Sequence, residues 1–123
     1  MTSSQKRKGD VFELALRAHL ADRGFAVSKT RAGYERDHGD LHILGDGHGP
    51  TVIIQAKNRV DMSKLGAWLR AAVEQRTAAQ ARHGIVVAKR VGIGAAGRQY
   101  AVMELDDLLA LLREAGYATG DKP

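Results

Sequence analysis

Asp40, Gln55 and Lys57 are the residues whose types and spacing best suit chemistry. They lie in Gly39–Lys57, GDLHILGDGHGPTVIIQAK, which reads as a strand, a glycine-rich turn and a second strand. Side chains two apart on a strand share a face. Gln55 and Lys57 therefore project together, while Val52, Ile54 and Ala56 fill the opposite, buried face. An acid beside a polar-x-Lys pair closing an apolar strand is poor packing but suits phosphodiester hydrolysis. That reaction needs oxygen ligands for Mg²⁺, a water activated by the cation, and positive charge for the transition state. Asp40, the Gln55 amide and the Ala56 carbonyl would be ligands, and Lys57 would orient or activate the water. Glu13 would add a second carboxylate if the first helix packs against these strands.

The elements that must position these residues can be read along the chain. Asp10 is a candidate helix N-cap, and Val11, Leu14, Ala15, Ala18 and Leu20 give helical spacing as far as about Arg23, with Gly24 as the stop. Glu13 lies off that stripe and, by itself, reads as an exposed helix acid. Phe25–Thr30 is a short strand and Arg31–His38 a polar loop; the Asp40 strand and a tight hairpin follow. Thr51–Lys57 is nearly continuously apolar up to Gln55, as in a central strand buried on both faces. Asn58–Met62 leads into a helix from about Ser63 to Arg82, with Leu65, Trp68, Leu69, Ala72 and Ala79 on one stripe. Arg76 falls within it and reads as a side chain snorkelling past the core edge, or alternatively reaching the site or a phosphate. Gly84–Lys89 is a further buried strand, Arg90–Arg98 a glycine-rich loop and Gln99–Glu104 a strand. Asp106 and Asp107 open a last helix; Leu105, Leu108, Leu109 and Leu112 predict its core stripe, and Gly116 stops it. This order predicts an α/β fold with one sheet flanked by helices. The expected organisation is a basic flexible tail over 1–9, a single domain over 10–117 and a C-terminal tail over 118–123.

At 123 residues, with 44% hydrophobic and 27% charged residues, the chain suits one globular domain. It has no cysteine, which excludes disulfides and thiolate-bound zinc. MTSSQKRKGD lacks the apolar core of a signal peptide, and no apolar run approaches a membrane span. The expectation is a soluble cytoplasmic protein, nucleoid-associated or in a host cytoplasm if viral, without a membrane partner. Net charge is +5. From Glu104 onward five acids face two bases, so residues 1–103 carry seventeen bases against nine acids. Such an excess suits a polyanion.

Two other motifs carry less. Gly92-Ile-Gly94-Ala-Ala-Gly97 matches G-x-G-x-x-G, but a strand is expected after it, with no helix N-terminus to cradle a pyrophosphate. His38, His42 and His48 cluster near Asp40, yet zinc ligands at i and i+4 need a helix that Gly39 and the alternating strand oppose. His42 shares a strand face with Asp40 and could line the site.

A helix bearing Glu13, then Gly39–Asp40, then Gln55-Ala56-Lys57 resembles the PD-(D/E)xK nuclease superfamily. Within it, KGDVFELALRAHLADRGFAV is similar to the opening of archaeal-type Holliday junction resolvases, where a glutamate in the first helix belongs to the site. The resemblance runs from about Lys8 to Gly116 and rests on order and spacing, since each motif is short. It implies a restriction-endonuclease-like core with a central mixed sheet flanked by helices. It also implies catalytic Glu13, Asp40, Gln55 and Lys57, with Mg²⁺ (Mn²⁺ able to substitute) on Asp40, Gln55, Ala56 and Glu13. Two positions depart from the pattern. Gly39 replaces a proline, and Gln55 stands where an acid is usual, as in Mrr-type restriction endonucleases and some transposon-end nucleases. A neutral amide is a weaker metal ligand than a carboxylate; Glu35 or Asp37 could assist, or the site could be silent.

The resemblance implies a homodimeric endonuclease that cuts four-way or other branched DNA, a Holliday junction resolvase. The candidate DNA contacts are Lys8, Lys29, Arg31, Arg36, Arg59, Lys64, Arg76, Lys89, Arg90 and Arg98. The alternatives are an Mrr-like or RecB-like nuclease on linear or modified DNA, and a non-catalytic DNA-binding subunit of the same fold.

Overall fold

The computed structural model describes residues 3–29, 40–45 and 50–120; side chains are described from Arg7 onward, except those of Lys29, Asp40 and Pro50. The elements run α1 (Ser3–Asp22), β1 (Val27–Lys29), β2 (Asp40–Leu44), β3 (Pro50–Lys57), α2 (Leu65–Ala79), β4 (His83–Ala88), β5 (Tyr100–Val102) and α3 (Leu105–Glu114), with a 3₁₀ turn at Ala96–Arg98 before β5. This is the helix and strand order expected from the sequence. The strands form one sheet in the order β1-β2-β3-β4-β5. Only β3 and β4 pair in parallel; the other neighbours are antiparallel. The fold is α/β, a five-stranded mixed sheet flanked by helices.

The central strand is buried as expected: Ile53 is fully buried, and Ile54 and Gln55 are each 5% exposed. Its alternation divides the core into two layers. Ile54 joins Phe12, Leu16 and Leu41, with Val52 and Ala56 packed alongside, under α1. On the other face, Ala72 of α2 packs with Val86 and Ala88 of β4, flanked by Leu65, Trp68 and Leu69. The helix and strand touch backbone to backbone there. A Cβ built on Gly84 would fall 2.5 Å from the Ala72 carbonyl oxygen.

Three expectations are corrected. α1 begins at Ser3, so residues 3–9 belong to it and Asp10 is not its N-cap. Gln5, Lys6, Arg7 and Lys8 are good helix formers, enough to carry the chain across Gly9. The buried stripe of α1 also differs: Phe12 and Leu16 are buried, whereas Val11 and Leu14 are 62% and 63% exposed. Both stripes have helical spacing, but the one through Phe12, Leu16 and Leu20 offers more area to bury than one rich in alanine. Glu13 rides on this inward side and is only 3% exposed, so it is not an exposed helix acid. The third correction concerns α3. Its expected core stripe is exposed, with Leu105 at 68% and Leu109 at 50%, while Asp107 is buried.

Candidate functional site

The parallel step between β3 and β4 gives the sheet a distinctive end. Lys57 pairs with Ala88 where both strands finish. Antiparallel β2 starts at the same end, with Asp40 opposite Gln55. β5 also starts there, with Tyr100 opposite Ala88. The carboxyl ends of parallel strands are where open α/β sheets usually bind ligands. Asp40, Gln55 and Lys57 are thus brought to one end by register.

Gln55 is buried because α2 covers its face of β3. Its Nε2 donates to Gln75 Oε1 at 2.9 Å. This bond fixes the amide plane and directs the oxygen of Gln55 away from Gln75. Gln75 was not singled out from the sequence. The available signal was a glutamine three residues past Ala72, continuing the buried stripe of α2. Lys57 lies nearby, with Nζ 5.8 Å from the centroid of the Trp68 ring, a cation–π arrangement.

Trp68 also lines a cavity of about 560 Å³ with Lys8, Asn58, Arg59, Val60, Asp61 and Lys64. Asn58 Nδ2 donates to the Lys8 carbonyl at 3.4 Å, tying the start of α1 to the end of β3. Three candidate phosphate contacts, Lys8, Arg59 and Lys64, therefore converge beside Lys57. Asp61 is turned to the connector. It accepts the Ser63 backbone N–H at 2.8 Å, and that bond holds its carboxyl below the ordinary 3.8.

Other expected residues are placed differently. Glu13 approaches from the α1 layer, the side of the sheet that carries Ile54, and so stands across the sheet from Gln55 and Gln75. Arg76 binds Asp107 at 2.7 Å and is an internal anchor for α3. Lys89 Nζ donates to the carbonyls of Arg90 and Ile93, at 3.0 and 2.6 Å. Arg90 stacks on Tyr100, 5.3 Å from the ring centroid, and donates to the Arg98 carbonyl at 3.1 Å. These bonds hold the glycine-rich loop, in which a 3₁₀ turn and then β5 follow Gly92 and Gly94. Arg31, Glu35, Arg36, Asp37, His38 and His48 lie outside the described residues, as do the side chains of Lys29 and Asp40.

Among the described residues, no three His, Cys, Asp or Glu side chains form a metal-sized group. The described oxygen donors are the oriented Gln55 amide and the buried Glu13 carboxylate, and backbone register sets Asp40 opposite Gln55. None of the described helices is long and apolar enough to cross a membrane. No family model, curated protein or solved structure matches the chain.

Proposed function

We propose that this protein is a Mg²⁺-dependent, structure-selective DNA endonuclease, a Holliday junction resolvase with a restriction-endonuclease-like core. The observation that carries the reading is Gln55: a polar side chain buried in the central strand, held by Gln75, two residues before Lys57 and in register with Asp40. Burying an amide in a core strand is costly unless it is hydrogen-bonded, as Gln55 is to Gln75. The basic cavity of Lys8, Arg59 and Lys64 beside Lys57 suits a phosphate backbone.

In this reading Asp40, Gln55 and the Ala56 carbonyl would hold the cation; Glu13, on the α1 side of the sheet, would join them only past the end of β3. A bound Mg²⁺ would supply an activated water and would neutralise charge on the phosphoryl oxygens. Lys57 would orient the attacking water and stabilise charge developing on the phosphate. Gln75 is a positioning residue acting through Gln55. The protein would act as a homodimer, with two sites cutting symmetric strands.

Gln55 in place of an acid also favours the Mrr-like reading, in which linear or modified DNA is the substrate. The test is cleavage, with Mg²⁺, of a labelled four-way junction beside linear duplex and single strand. Paired symmetric nicks confined to the junction are expected; cutting of linear DNA selects the Mrr-like or RecB-like reading. Asp40→Asn and Lys57→Ala should abolish cleavage and leave binding largely intact. Wild-type rates in either variant would mean that the site is wrong. Tight binding by the wild type without cutting would select the non-catalytic DNA-binding reading.

A further inference from the structure

The cavity beside Lys57 is more than a basic surface. Its volume of about 560 Å³ lies within the roughly 300–1,000 Å³ of small-ligand sites. Lys8, Arg59 and Lys64 give it three positive charges, against the single carboxylate of Asp61. That carboxylate already accepts the Ser63 backbone N–H at 2.8 Å. α2 starts at the same wall, with Lys64 at its N-cap, no side-chain cap bond and no acid in its first turn. The positive end of the helix dipole therefore adds to the three cations.

Charge alone would serve a patch laid against a duplex backbone. It does not account for the apolar part of the wall, which Trp68 and the 76% exposed Val60 supply. Trp68 is anchored on its core side, where it packs against the cluster of Ala72, Val86 and Ala88. Lys57 Nζ stands 5.8 Å from its ring centroid. An aromatic ring held in place among cations is the combination that binds unpaired nucleotides: the cations take phosphate and the ring stacks a base. A duplex cannot use such a ring, because its base faces are covered by their neighbours and only edges are presented in the grooves.

We propose that this cavity holds one unpaired nucleotide of a DNA strand, with its base against Trp68 and its phosphate among Lys8, Arg59 and Lys64. The choice of DNA rests on the proposed function, which this pocket deepens. The substrate then carries an unpaired nucleotide, as at a flap, a bulge or an opened branch point. Lys57 and the cavity meet at the Trp68 ring, so the captured nucleotide adjoins the phosphate that Lys57 addresses.

Trp68 is the chain's single tryptophan, so its emission reports on the pocket directly. The whole chain is titrated, in EDTA to prevent cleavage, with a strand of eight thymidines and with a strand of eight abasic units carrying the same phosphates. The thymidine strand should quench the emission saturably and bind roughly tenfold or more tightly than the abasic strand, as a stacked base contributes. Arg59→Ala and Lys64→Ala should weaken both strands alike and flatten the salt dependence. Trp68→Leu, read by anisotropy of labelled strands, should bring the thymidine strand down to the abasic affinity. Trp68 also packs on the core, so circular dichroism checks that this variant folds; if it does not, the wild-type titration decides. Equal affinity for the two strands, or binding that leaves the emission unchanged, would overturn the proposal. So would thymidine monophosphate bound as tightly as the strand, which moves the pocket to free nucleotides, or a uridine strand bound more tightly than the thymidine one. Binding in EDTA is read apart from cleavage. Junction cutting without stacking removes the pocket alone, and stacking in a chain that cuts nothing removes only the nuclease.

Discussion

Replacing Gly84 by alanine should loosen the attachment of α2 to the sheet. The new Cβ would fall 2.5 Å from the Ala72 carbonyl oxygen and 2.9 Å from its carbonyl carbon, distances that real Cβ atoms do not occupy. The obstacle is backbone, so no rotamer change relieves it; the helix must move away from β4. Overpacking of this kind costs about 1–3 kcal/mol. In a domain of this size, about 1 kcal/mol displaces Tm by roughly 3–6 °C. Thermal unfolding followed by circular dichroism should therefore show a fall of several degrees. Two glycines act as internal controls, since neither has an atom within 4 Å of a built Cβ: Gly66 and Gly94. Gly66→Ala, inside α2, should raise stability by about 0.5–1 kcal/mol, and Gly94→Ala should change little. Ala72 lies three residues before Gln75, so displacement of α2 should also slacken the bond to Gln55 and slow cleavage. A Gly84→Ala variant melting at the wild-type temperature would refute this packing and the placement of Gln75 that depends on it.

Gln75→Leu should cost about 1–3 kcal/mol, because it strands the buried amide of Gln55, and should lower kcat more than it weakens DNA binding; an unchanged kcat would remove Gln75 from the site. Asp107→Ala leaves Arg76 without its partner, and because the arginine side chain is 26% exposed the loss should be moderate, about 1–2 kcal/mol in urea unfolding, with faster amide exchange in α3. Unaltered exchange there would mean that the helix is held by something else. Asp61 has its carboxyl held below 3.8 by the Ser63 N–H, so its contribution is present above that pH and is lost as pH falls through the lowered folded value. The stability gap between wild type and Asp61→Ala should therefore close on acidification through this region, and a gap that persists at the acid end would count against the assignment.

Element order was legible because periodicity and glycine stops agree along the chain. β3 announces itself through an apolar run too short for a helix, and Gly24 and Gly116, both at φ +93, end their segments as glycine permits. Which face of a helix turns inward was less legible. In α1 two stripes share the same spacing, and side-chain size decides between them. In α3 the leucines define an apolar arc correctly, but local spacing says nothing about what that arc meets. Gln75 was invisible for a related reason. Its partner stands twenty residues away, and a hydrogen bond between layers leaves no trace in local pattern. The pairing of Asp40 with Gln55 was accessible because a hairpin joins their strands, so the strand ends had to meet.

The end of the sheet where these strands meet is divided between two tasks. Parallel β3 and β4 deliver their last residues to it, and their antiparallel neighbours deliver their first. On the β4–β5 half, the polar groups are engaged internally: Lys89 ties two loop carbonyls, and Arg90 covers Tyr100. That half holds the glycine-rich loop. On the β2–β3 half, Asp40, Gln55 and Lys57 stand at the strand ends, with the cavity of Lys8, Arg59 and Lys64 alongside. The bonds around Lys89 hold one edge of the sheet end in place, while Gln75 fixes Gln55 from α2. If this division is right, the contribution of Lys89 to DNA binding should be small beside that of Lys64, although both are lysines at the same end. The cation in the cavity meets solvent, whereas the other is bonded to its own backbone, and only the first can exchange counterions for phosphate.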